Sequence, residues 1–404
     1  MTKSKIWWMN PIYIIIFIHL PILTTAYYLE PKWYKFTASQ LKFIDTQYYF
    51  FGIVGFLFLI TGIKTTQFIR LGKCDASNML NTRRLDLIFN GMLYLYIAAN
   101  IILFYEFIKN PSYFIMIANA ELEQGYGREL AQTIPGITTL SQLGICLSII
   151  CSYKISLNIE KNRYIKLMFL IVFISLIRAF VRSERLALIE VLVVFSLPFC
   201  LYNQKFKKII KLIPIIAVPG LVLIFSISEY FRSWIHYYNK RYDYFSEFIF
   251  DRFSSYFMIA QNSAVSYLKY IEINDYPWLT NQWLFKFPGL GYLNDLYRSE
   301  YDKYMSFLRI HLDPQYNNYA PIYAIYTDFG ILFGCFILFI LGLLTGHFHR
   351  TFQEQNGIGT FIYPAWFIGV LELSRTYSWG SSRFFIVFVT FFIIYLFCID
   401  RRKV

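Results

Sequence analysis

What most constrains this chain is the recurrence of apolar stretches long enough to cross a bilayer. A span needs about 20 largely apolar residues. Applied in order, that rule expects spans near 11–29, 47–63, 86–108, 135–153, 164–182, 185–203, 209–228, 319–346, 358–374 and 383–399. The expected fold class is therefore all-α: a polytopic membrane protein with about ten transmembrane helices. Composition agrees. Of 404 residues, 57% are hydrophobic, 21% aromatic and only 16% charged, too little polar surface for a soluble body of this size. The first run lacks a small-x-small cleavage pattern, so it reads as a retained span rather than a removed signal.

The loops between these stretches set an orientation. Lys3 and Lys5 precede the first span, and Lys64, Arg70, Lys73, Arg83 and Arg84 separate the second from the third. Lys154, Lys161, Arg163 and Lys166 fall at the fourth and fifth, and Lys205, Lys207, Lys208 and Lys211 at the sixth and seventh. Arg350 follows the eighth, and Arg401, Arg402 and Lys403 close the chain. With ten spans all these residues share one side, which the positive-inside rule makes cytoplasmic. Both termini are then cytoplasmic, and the net charge of +13 reflects orientation rather than a nucleic-acid partner. Loop 30–46, with Lys32, Lys35 and Lys42, is a mild exception on the other side. Three segments follow: seven transmembrane helices over 1–228, one large external loop over 229–318, and three helices over 319–404. The six cysteines (Cys74, Cys146, Cys151, Cys200, Cys335, Cys398) suggest neither a disulfide framework nor a metal site.

Against that orientation stand five arginines at the outer ends of spans. Arg178, Arg182 and Arg185 flank Glu184 where the fifth stretch meets the sixth, and Arg375 and Arg383 follow Glu372 near the end of the chain. Such charges at a membrane boundary are costly unless something anionic meets them. A guanidinium stays charged when partly desolvated, and its planar fork of donors suits phosphate and pyrophosphate. The expectation is that the two turns hold the anionic head of a lipid-linked substrate. Arg182 and Arg185, at i and i+3, would act as neighbours. Glu184 and Glu372 are placed either to orient these arginines or to serve as a base. A carboxylate among arginines has its ionised form favoured, which argues for orientation.

For proton transfer the candidates are His311, with Asp313 or Asp328 to orient it. Imidazole is the side chain suited to take a proton from a hydroxyl near neutral pH. Asp328, several residues into the eighth apolar stretch, is expected to be buried. Loop 229–318 carries Trp234, Tyr237, Tyr238, Trp278, Trp283, Tyr292, Tyr297, Tyr301 and Tyr304. Such rings suit the faces of sugars and equally an interfacial belt. No GxxxxGK[ST], HExxH, CxxC or GxSxG occurs, so ATP-driven work and zinc chemistry have no motif to stand on. No metal or other cofactor is expected.

Three short motifs carry a resemblance. Arg-Ser-Glu-Arg-x-x-Leu-Ile at 182–189 precedes the long loop, and Tyr-x-x-Tyr-x-Asp-Phe-Gly-x-x-x-Gly at 323–334 opens the following span. Ser-Arg-x-Tyr-x-x-Gly-Ser-x-Arg at 374–383 comes late. Together with the topology they resemble bacterial O-antigen polymerases of the Wzy type and, more distantly, O-antigen ligases. The resemblance implies an inner-membrane glycosyltransferase that joins oligosaccharide units carried on undecaprenyl pyrophosphate at the periplasmic face. It uses no nucleotide sugar and works beside a chain-length regulator. Arg182 and Arg185, with Arg375 or Arg383, would then bind the pyrophosphate, and His311 lies where the ligase branch places a histidine. A ligase and a lipid-linked oligosaccharide flippase or transporter are the alternatives. Neither internal repeats nor charges spread through the bilayer depth favour a transporter.

Overall fold

The computed structural model describes residues 6–30, 41–69, 81–119, 121, 126–131, 134, 136–182, 184–203, 207–271, 273–287, 289–355 and 359–398. Lys3, Lys5, Lys32, Lys35, Arg70, Lys73, Cys74, Ser183, Lys205, Arg401, Arg402 and Lys403 lie outside the described residues. In chain order the main helices are α1 (Pro11–Tyr28), α2 (Thr46–Phe68) and α3 (Thr82–Leu103). Next come α4 (Leu143–Ser156), α5 (Lys161–Val181), α6 (Arg185–Tyr202) and α7 (Lys208–Trp234). The remainder are α8 (Phe245–Ile271), α9 (Gly291–His311), α10 (Pro321–Phe329), α11 (Ile331–Glu354), α12 (Gly359–Leu371) and α13 (Ser382–Cys398). No strand occurs among the described residues.

Seven of these helices, α1, α2, α3, α5, α6, α7 and α11, are long and apolar enough to cross a membrane. The described residues are thus all-helical, with several helices of the length and apolarity that membrane embedding requires, and three of the ten expected spans come out shorter. The stretch 135–153 yields only α4, 14 residues long, because the chain ahead of it turns at Gly136 (φ +84°) and passes through a 3-10 segment, Thr138–Gln142. The last two stretches give α12 and α13, of 13 and 17 residues. The stretch 319–346 is cut in two at Gly330, whose φ of +72° breaks the helix where a side chain would be strained. Asp328 therefore sits in the nine-residue α10, ahead of the span-length α11.

The helices gather into two compact units that interleave along the sequence. One comprises Met1–Ile6, Asp75–Phe253 and Ile386–Val404; the other comprises Trp7–Cys74 and Ser254–Phe385. The division falls inside α8 and inside α13.

In the first unit α4 is the centre. All its residues from Leu143 to Ile155 are buried, and α3, α5 and α6 pack around it. That includes Lys154, whose ammonium lies 2.6 Å from Asp86 of α3. The Tyr164 hydroxyl of α5 donates to the same carboxylate at 2.6 Å. One acid thus ties three helices together. Fourteen residues separate Tyr164 from Arg178 on α5, or about 21 Å at 1.5 Å per residue, so this tie and the arginine turn occupy opposite ends of the helix.

In the second unit α2 lies directly against α11. In lipid no hydrophobic drive brings helices together, so close backbone approach between small residues has to do it. A Cβ placed on Gly62 would press into the carbonyl of Phe339 and come within 2.9 Å of the Gly342 Cα. The buried His19 of α1 joins this unit through both ring nitrogens, to Ser374 Oγ at 2.6 Å and the Val370 carbonyl at 2.7 Å. The carbonyl can only accept, so Nε2 carries the proton and the Ser374 hydroxyl donates to Nδ1.

Because the α2–α11 approach leaves no room for a side chain, Gly342→Val should lower stability by about 1–3 kcal/mol. Gly91→Ala is the control, since a Cβ there meets nothing within 4 Å. Thermal unfolding of the two variants in detergent would check the contrast.

Candidate functional site

The turn between α5 and α6 is built from its arginines outward. Arg182 caps α5, its amide donating to the Arg178 carbonyl at 3.1 Å, so Arg178 and Arg182 both lie at a helix C-terminus, where cations are favoured. Glu184 stands at the start of α6, where an anion is favoured. Its Oε2 accepts from Arg178 Nε at 2.9 Å and Nη2 at 2.8 Å, and its Oε1 accepts from Arg182 Nε at 3.0 Å. Glu184 therefore stands in the orienting position. Arg178 Nη1 also donates to Ser141 Oγ at 2.8 Å. The Gln142 side-chain oxygen, in the amide orientation that satisfies both its ends, accepts from the same guanidinium at 2.9 and 3.1 Å. Arg182 Nη1 donates to the Ala131 carbonyl at 3.3 Å.

Arg185, the first residue of α6, is directed to a different carboxylate. Its Nη2 lies 2.9 Å from Glu229 Oε1, and its guanidinium stands 4.1 Å from the centre of the Phe225 ring. Arg232, one turn beyond Glu229, approaches the same oxygen at 3.7 Å, and Arg252 of α8 approaches Oε2 at 3.4 Å. The Arg252 guanidinium also lies 5.8 Å from the Tyr238 ring. Glu229 is 0% exposed and Arg252 2%, whereas Glu184 is 22% exposed. Three guanidiniums thus converge on one dry carboxylate. Glu229 sits near the end of α7, just ahead of its π-helical turn Tyr230–Trp234.

Sequence reading missed Glu229. The available signal was an acid at the end of a very apolar span with Arg232 three residues on. Arg252, inside the stretch 229–318, has no local pattern in the sequence that links it to Glu229. Arg182 and Arg185, read as i, i+3 neighbours, belong to different helices: Arg182 is the C-cap of α5 and Arg185 the first residue of α6, so the periodicity that an i, i+3 argument assumes does not run between them.

Arg375 and Arg383 lie in the other compact unit. Arg375 Nε donates to Glu372 Oε2 at 2.6 Å, and the turn carrying both is anchored through Ser374, whose carbonyl accepts from Gln261 Nε2 at 3.0 Å. Arg383 opens α13. Asp328 is buried, as expected, but as an anchor: it accepts from Asn274 Nδ2 at 2.7 Å and from the Thr280 amide and hydroxyl at 2.8 and 2.7 Å. Asp313 caps a short 3-10 turn by accepting from the Gln315 amide at 2.9 Å. Neither acid bonds His311, which ends α9 exposed, with Phe307 and Tyr270 rings 4.8 and 6.0 Å away. The expected histidine–aspartate pair does not form, because both acids are committed to backbone and amide donors close to them.

One further cation escaped the sequence reading. Lys286 holds its ammonium 4.3 Å from the centre of the Tyr297 ring, and burial pushes it down to about 8. Just before it, Trp283 stacks on Phe385 at 4.5 Å. Among the described residues no group of three or more histidines, cysteines or acids could hold a metal ion. A scan against protein-family models finds no match to this chain, and searches of curated proteins and of solved structures find none either.

Breaking a buried ion pair from one side strands the other charge, at about 3–5 kcal/mol. Glu229→Gln should therefore destabilise the protein by about that amount. Glu184→Gln should cost less than 1 kcal/mol, roughly the value of a partly solvated pair. Denaturant unfolding of both variants in the same detergent would give the ordering.

Proposed function

We propose that this chain is a polymerase of lipid-linked oligosaccharide repeat units, those of O-antigen or a related surface polysaccharide. It would move the growing glycan from undecaprenyl pyrophosphate onto a new lipid-linked unit. The observation that carries this reading is the gathering of Arg178, Arg182, Arg185, Arg232 and Arg252 around Glu184 and Glu229 at the end of apolar, span-length helices. Guanidiniums held there by carboxylates are already oriented and largely stripped of water, which strengthens their action on an arriving phosphate.

In the reaction a sugar hydroxyl of the incoming unit attacks the anomeric carbon of the growing glycan. The new glycosidic bond forms as the bond from that carbon to the pyrophosphate oxygen breaks, and the electron pair leaves with the lipid pyrophosphate. Fixed positive charge at the leaving group stabilises the transition state. The hydroxyl proton passes to a general base; Asp328 and Asp313 already accept from Asn274, Thr280 and the Gln315 amide. No metal or other cofactor enters this scheme. The sidedness follows from the lysine and arginine distribution: an inner-membrane protein with cytoplasmic termini and the α5–α6 turn facing the periplasm. The partner of this reading is the lipid-linked oligosaccharide, together with a chain-length regulator.

Purified protein in liposomes, given only a lipid-pyrophosphate-linked repeat unit, should yield a ladder of products separated by size. Arg182→Ala and Arg185→Ala should each lower the rate by about 10²–10³, the scale of losing one transition-state donor. A single transfer to a lipid A core without a ladder would indicate a ligase. Movement of the unchanged unit across the bilayer would indicate transport, and normal ladders from both folded arginine variants would remove the mechanism.

A further inference from the structure

Within the second unit, the chain between α8 and α9 is fastened to the apolar helices at two points. The Asn274 amide donates to the Thr327 carbonyl of α10 at 2.7 Å. Ile273 packs at Gly330, where a Cβ would come 3.3 Å from its Cδ1, and Gly330 immediately precedes the span-length α11. Further on, the Trp283 amide donates to the Gly380 carbonyl at 3.1 Å, and the Trp283 ring stacks on Phe385 in the first turn of α13. The segment is thereby held at the N-terminal ends of two apolar helices.

The surface it leaves open there is apolar. Ile273 is 57% exposed, Phe287 41%, Leu290 40% and Tyr292 72%, and Leu332, in the first turn of α11, is 90% exposed. The tip at 287–290 is also prepared for a place with little water. Gly289 takes a φ of +91°, and the Leu290 amide donates to the Phe287 carbonyl at 3.3 Å. Asn294 Nδ2 donates to both the Phe287 and the Leu290 carbonyls, at 3.2 and 3.1 Å. Backbone polar groups have to be met from within the protein where lipid replaces water. Farther along α9 the exposed residues are polar instead, among them Asp295, Arg298 and Asp302.

One cation belongs to this tip. Lys286 is half-buried with its ammonium 4.3 Å from the centre of the Tyr297 ring, and among the described residues no carboxylate pairs with it. We propose that the tip lies in the headgroup layer of the membrane, with Phe287, Leu290 and Tyr292 against acyl chains and Lys286 paired with the phosphate of an anionic phospholipid. Apolar side chains with a cation at their edge match a molecule that offers acyl chain and anion at neighbouring depths. Burial, which holds the Lys286 ammonium at about 8, has already removed part of its water, so an anion gains a charge-assisted partner there that the protein does not supply. The inference stands apart from the polymerase reading, because the lipid is the bilayer's own and not a substrate.

The test uses the full-length protein in nanodiscs. Nitroxide labels at Phe287→Cys and Leu290→Cys, in protein carrying Cys74→Ser, should be reached more readily by dissolved oxygen than by a water-soluble nickel chelate. A label at Asp302→Cys should show the reverse order. In nanodiscs of mixed phosphatidylcholine and phosphatidylglycerol, native mass spectrometry should find about one phosphatidylglycerol fewer on Lys286→Gln, since each basic side chain near the surface attracts anionic lipid. Lys286→Arg keeps the charge and should retain it. In zwitterionic nanodiscs, Lys286→Gln should bind farnesyl pyrophosphate as the unaltered protein does. The label positions are exposed, so the depth measurement stands whether or not Lys286→Gln folds. Nickel reaching 287 and 290 as readily as 302 would overturn the proposal, as would unchanged phosphatidylglycerol on a folded Lys286→Gln. Loss of farnesyl pyrophosphate with phosphatidylglycerol retained would also overturn it and assign the lysine to a substrate phosphate.

Discussion

A guanidinium taken out of water is costly unless a carboxylate meets it, and even then the pair is held in place by what surrounds it rather than by its own strength. The first compact unit depends on that condition being met at the end of α5 and the start of α6. Glu184 meets it for Arg178 and Arg182, and Glu229 meets it for Arg185 and Arg252. Both acids are tied to the ends of helices, Glu184 at the start of α6 and Glu229 near the end of α7. The geometry of the site is therefore inherited from how those helices end, and a change in α7 far from any ligand would be felt at Arg185.

Helix packing supplies the rigid frame for this. In the first unit α4 is enclosed so completely that its only cation, Lys154, is satisfied inside by Asp86, with the Tyr164 hydroxyl on the same carboxylate. In the second unit the approach of α2 to α11 relies on glycines, and His19 links α1 to the turn that carries Arg375 through Ser374. These are different answers to one constraint: where apolar surface cannot distinguish lipid from protein, backbone proximity and buried polar contacts must specify the neighbours.

The base candidates show where residue type misleads. Asp328 was singled out because an acid inside an apolar stretch is expected to be functional. Its burial is as expected, yet its oxygens are filled by Asn274 and Thr280, donors about 50 residues earlier that no local pattern links to it. His311 and Asp313 are two residues apart, but the helix ends between them and sends the acid to the Gln315 amide.

The sequence by itself determined the all-helical class, most of the long apolar helices and the clustering of arginines where α5 meets α6, since hydrophobic length and charge placement are local properties of the chain. It could not determine which stretches fall short of a span. That depends on single backbone conformations, such as the positive φ of Gly330, and on whether a helix like α4 is covered by protein. Nor could it find Glu229 as the shared partner of Arg185 and Arg252, because pairing across 44 and 23 residues is fixed by how α6, α7 and α8 pack. Only the tertiary structure decided that consecutive arginines of one motif face different carboxylates: one ends α5 and the other begins α6, and direction is not written in spacing.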